Sequence, residues 1–75
     1  MMDRAEWLDR WFTTTEDRYL NLEPDEALAV ARNAGIEDVR VIDLSGERTY
    51  LTADLRPRRL NLAIEGGRVI RAAFF

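Results

Sequence analysis

At Gly35 the spacing of apolar residues changes from helical to alternating, and a chain of 75 residues has too little core to house the two kinds of element separately. Helices and strands must share one core. Ahead of Gly35, Asp3 is placed to cap a helix over about residues 4–12, with Trp7, Leu8, Trp11 and Phe12 on one face. Thr13 and Glu16 have capping-box spacing for a short turn ending near Tyr19, Leu20 and Leu22. Pro24 suits the first position of a second helix, about 24–34, with Asp25 and Glu26 at its positive end and Gly35 as its stop. Ala27, Val30, Ala31 and Ala34 make a narrow stripe fit for close packing on a sheet.

Beyond Gly35 the pattern is that of strands. Val39 and Val41 alternate with Arg40 and Ile42 over about 38–43, and Leu60, Leu62 and Ile64 alternate with Arg59, Asn61, Ala63 and Glu65 over about 58–65. Gly66 and Gly67 turn the chain into a third strand, about 69–75. A two-residue turn would set Arg71 beside Leu62. A three-residue loop of Gly66, Gly67 and Arg68 avoids this by pairing Ile64 with Ile70, so Ile70, Ala72 and Phe74 share the apolar face and Arg71 points out. The order predicts an α+β fold: N-terminal helices packed on a small mixed three-stranded sheet, with a long exposed loop between the first two, parallel, strands. Residues 1–75 form a single domain, with 1–16 a helical extension of a core at 17–75.

Composition removes whole classes of chemistry. The chain has no Cys and no His, and Ser45 is its only serine, which excludes disulfides, His or Cys metal ligands and a Ser-His-Asp triad. Carboxylates without His, Cys or Lys leave few bases or nucleophiles, so no enzyme, cofactor or metal is expected. Residues 1–38 carry ten acids against four arginines, a net −6, while 39–75 carry seven arginines against four acids, a net +3. A pI near 4.8 argues against nucleic acid as a partner. No apolar run has membrane-spanning length and residues 1–12 do not read as a signal peptide, so the expectation is a cytoplasmic protein without a membrane partner.

One stretch carries a pattern of its own. Between the first two strands lies a connection, Leu44 to Arg58, longer than so small a domain keeps without use. Its second half continues into the second strand as Leu51-Thr52-Ala53-Asp54-Leu55-Arg56-Pro57-Arg58-Arg59-Leu60-Asn61-Leu62. In an extended chain Thr52 and Asp54 point away from Ala53 to one side, where an arginine fork from the second strand could bond both; Arg59 is the candidate. Pro57 fixes its own φ and biases Arg56 toward an extended shape.

These ordered Thr, Asp, Arg and Asn positions resemble the reactive-site segment of the potato inhibitor I superfamily. The Arg-Pro-x-Arg-Leu-Asn stretch, the Gly hairpin and the Val39-Arg40-Val41 strand are closest to its microbial, elastase-inhibitor-like branch. The resemblance spans about residues 17–75 and leaves the Trp helix outside. It implies a serine-protease inhibitor whose loop, about 49–57, presents Leu51, Thr52, Ala53, Asp54, Leu55 and Arg56 to a subtilisin-like or elastase-like protease. Ala53 would enter the primary pocket, the Ala53-Asp54 bond would be the scissile one, and Arg59, Asn61 and Pro57 would support the loop. Two departures stand out: Asn61 occupies the position where eglin-type members commonly carry a second bracing arginine, and Asp43 to Leu51 is a longer approach than the family's usual one. The competing reading is a non-inhibitory interaction module that binds a protein, or itself as a homodimer, through the helix of Trp7, Trp11 and Phe12 or through the exposed strand edge.

Overall fold

In a computed structural model, which describes residues 4–44 and 57–75, the elements are α1 (Arg4–Trp11), a 3-10 turn (Asp17–Tyr19), α2 (Pro24–Asn33), β1 (Val39–Asp43), β2 (Leu60–Glu65) and β3 (Arg68–Phe74). The strands form one sheet in the order β1-β2-β3, with β1 parallel to β2 and β3 antiparallel to it. The fold is α+β, as the order of the two periods predicts. No helix among the described residues is long and apolar enough to cross a membrane.

Local chemistry places α2. Pro24 opens it where a missing N–H costs nothing, and Gly35 closes it with φ +81°. Its Ala27 and Ala31 are buried against Leu60, Leu62, Ile64, Val69 and Ala72 on one face of the sheet. Ala34 is exposed rather than part of that stripe, because the helix ends at Asn33. The Thr13–Glu16 capping box also does not form. Glu16 itself precedes the 3-10 turn without a side-chain cap, and its backbone N–H donates to the Ala72 carbonyl at 2.7 Å.

The opposite face of the sheet is covered as well. Leu8 and Phe12 of the N-terminal segment pack on Ile42, Leu44, Ala63 and Ala73, with Trp11 and Phe75 alongside. The central strand is therefore buried on both sides, from Leu60 through Ile64, instead of alternating between core and water. Ala63 and Ala73 are small where the N-terminal segment comes close, much as Ala27 and Ala31 are small on the other side.

The hairpin departs from the expected three-residue loop. Gly66 and Gly67 have φ of +63° and +75°, as a two-residue type I′ turn demands, and pair Glu65 with Arg68 and Ile64 with Val69. A bulge follows: Ala63 faces Arg71, so Ile70 is the extra residue, and beyond it Leu62 faces Ala72 and Leu60 faces Phe74 as expected. Val69, not Ile70, thus enters the core, with exposures of 2% and 37%. The preceding connector makes the choice, since Asn21 N–H donates to the Val69 carbonyl at 2.8 Å and Val69 N–H to the Leu22 carbonyl at 2.9 Å. Arg71 does not simply point out: its Nη2 donates to Asp9 Oδ1 of α1 at 3.1 Å.

Nothing stands within 4 Å of a Cβ built at Gly66 or Gly67, so their requirement is one of backbone conformation alone. Changing either to Ala should cost about 1–2 kcal/mol, with a smaller loss for Asn, which tolerates positive φ. Urea denaturation of the single variants checks this, and an unchanged midpoint for Gly66→Ala and Gly67→Ala would remove the type I′ turn.

Candidate functional site

The pattern of interest straddles the boundary of the described structure. Leu51, Thr52, Ala53, Asp54, Leu55 and Arg56 lie outside the described residues, whereas Pro57, Arg58, Arg59 and Asn61 lie within them. The site is therefore built from what anchors the connection. At its start, Leu44 N–H donates to the Ile64 carbonyl at 2.8 Å; at its end, Leu60 N–H donates to the Asp38 carbonyl at 2.9 Å. Because β1 and β2 are parallel, these anchors sit at opposite ends of the paired strands. Both stems are hydrogen-bonded into the sheet.

Arg59 immediately precedes β2 and is only 5% exposed, a depth at which a guanidinium requires polar company. Its carbonyl is held twice, by Asn61 Nδ2 at 3.3 Å and by Phe75 N–H at 3.3 Å. Asn61 is fully buried in the central strand. Its second Nδ2 contact is the Ala73 carbonyl on β3 at 3.2 Å, and its Oδ1 accepts from Arg40 Nε on β1 at 2.8 Å. One carboxamide touches all three strands.

Arg40 in turn lies over the Phe75 ring, 5.5 Å from its centroid. Phe75 also meets Phe12 edge-on at 5.0 Å and Trp11 in a tilted contact at 5.7 Å. The N-terminal aromatics and Arg40 therefore meet at one ring. Pro57 and Arg58, by contrast, are exposed and line an open groove of about 760 Å³ with Gly35, Ile36, Glu37, Asp38 and Phe74.

Of the residues singled out in the sequence, the structure brings Arg59, Asn61, Trp11 and Phe12 into one neighbourhood and leaves Pro57 on the groove; the side chain of Trp7 lies outside the described residues. Arg40 and Phe75 are the members that reading the sequence did not select. A signal for Arg40 was present, because it shares the parity of Ile42, and a charge on the same side as a buried strand residue needs a partner. No family model matches the chain, and neither a curated protein nor a solved structure matches it.

Proposed function

We propose that this protein is a serine-protease inhibitor that offers residues 49–57 as a substrate-like loop to a subtilisin-like or elastase-like enzyme. The observation that supports it most is the placement of Arg59: a buried arginine at the point where the connection rejoins the sheet, with its backbone held by two donors. A substrate-like loop has to be stiff before it binds, since ordering a flexible one costs about 1–2 kcal/mol per residue. Anchored stems and a buried arginine at the point of re-entry are what such stiffness requires. Thr52 and Asp54 supply the hydroxyl and carboxylate that an arginine fork can bond, and Ala53 between them is small enough for an elastase-like or subtilisin-like pocket. Inhibition then follows from slow turnover, because a braced loop keeps the leaving amine next to the acyl group so that the peptide bond re-forms.

The interaction-module reading is less well supported. Phe12 and Leu8 are spent on the protein's own sheet, and Trp11 rests on Phe75. Progress curves with subtilisin and an elastase test the proposal, with slow loss of enzyme activity expected for the unmodified protein. Ala53→Leu should move the preference toward chymotrypsin-like enzymes with larger apolar pockets, where even one extra methylene is worth about 1–3 kcal/mol, or roughly ten- to two-hundred-fold. A protein that slows none of these enzymes at micromolar concentration overturns the reading.

A further inference from the structure

Asn61 stands where the resemblance leads one to expect a second bracing arginine, yet its amide hydrogens are committed within the sheet. Nδ2 donates to the carbonyls of Arg59 and Ala73, and Oδ1 accepts from Arg40 Nε. A carboxamide can be turned over, exchanging its donor and acceptor ends, with little change in shape. An arginine Nε–H can only donate. Arg40 therefore fixes the oxygen toward β1 and both N–H groups toward the two carbonyls. In the reversed orientation Oδ1 would face those carbonyl oxygens in a fully buried position, and Nδ2 would face the Arg40 N–H.

We propose that Arg40 is the second positioning residue of the loop support: acting through Asn61, it holds the Arg59 backbone, and with it the re-entry of the chain at Pro57 and Arg58, in place. The charge missing at position 61 is thus supplied from the neighbouring strand, since Arg40 and Asn61 are direct partners in the β1–β2 register. Arg40 is itself pre-set by stacking on Phe75, whose N–H bonds the same Arg59 carbonyl. The consequence for inhibition rests on the function proposed above, whereas the clamp can be tested without it.

Arg40→Met removes the donor and keeps an apolar stem over the Phe75 ring, and Arg40→Lys restores a donor. In the unmodified protein the Asn61 side-chain amide protons should exchange slowly with solvent by NMR, and Arg40→Met should speed that exchange at least roughly tenfold, with partial recovery in Arg40→Lys. The inhibition constant for subtilisin should rise roughly ten- to a hundred-fold in Arg40→Met, measured where urea denaturation shows the variant folded. If Arg40→Met does not fold, Arg40→Gln, which keeps a neutral N–H donor, is read in its place and should show the smaller, roughly tenfold, loss. Unmodified protein that inhibits while the variant inhibits equally well overturns the role of Arg40 and leaves the inhibitor reading intact. If the unmodified protein does not inhibit, the inhibitor reading fails and limited proteolysis decides the clamp. Faster cleavage between residues 45 and 56 in the variant then supports it, and equal rates overturn it.

Discussion

Phe12→Ala should destabilise the protein by about 3–5 kcal/mol in urea denaturation, as expected for truncating a buried phenylalanine. Phe12 is 3% exposed, packs with Leu8 on Ala63 and Ala73, and meets Phe75 edge-on at 5.0 Å. A domain of this size has only about 4–11 kcal/mol of stability in total, so the variant should be close to unfolding near room temperature. Trp11→Ala should cost less, because Trp11 is only half-buried. Deleting residues 1–13 should do at least as much harm as Phe12→Ala, since the second face of the sheet would then open to water. A loss below about 1 kcal/mol for Phe12→Ala would mean that this face does not depend on the N-terminal segment, and the aromatic helix would regain its standing as a surface for partners.

Arg59→Ala should convert the protein from an inhibitor into a substrate. The bonds to the Arg59 carbonyl from Asn61 and Phe75 are independent of its side chain, so the strand register should survive the change. What is removed is the buried guanidinium that the proposed loop would rest on. A charge-assisted hydrogen bond contributes about 1.5–3 kcal/mol, which predicts an inhibition constant raised roughly ten- to more than a hundred-fold, with cleavage between Ala53 and Asp54 detected by mass spectrometry. Arg59→Lys should not restore inhibition, since a point charge cannot reproduce a fork that bonds a hydroxyl and a carboxylate together. An unchanged inhibition constant for Arg59→Ala, in a variant shown to be folded, would separate inhibition from the Arg59 side chain.

Both predictions turn on residues whose environment is not written in their own neighbourhood of the chain. The limits of α2 are written there: Pro24 and Gly35 act on the backbone at the positions they occupy, and the stripe of Ala27 and Ala31 follows from helical geometry. The three strands and their α+β order follow likewise from a period of two interrupted by glycines. Asn61 and Ala63 are a different case. A polar or small residue on alternate positions of a strand looks the same whether that face meets water or a second layer, and only the docking of Leu8 and Phe12, some fifty residues away in sequence, buries it.

The hairpin teaches the same distinction in miniature. Two glycines were enough to mark the turn, and the far register of Leu60 with Phe74 followed from matching apolar faces. Matching faces selects Ile70 for the core over the adjacent and equally apolar Val69, and the structure reverses that choice. The reversal is decided by Asn21 and Leu22, which bond Val69 on the outer edge of β3 and force the extra residue into a bulge. The partnership of Arg40 with Asn61 has the same origin. Turns and helix limits arise from torsional and hydrogen-bond preferences that act over a few residues, whereas the burial of a polar face and the place of a bulge depend on which distant segments the shared core brings alongside.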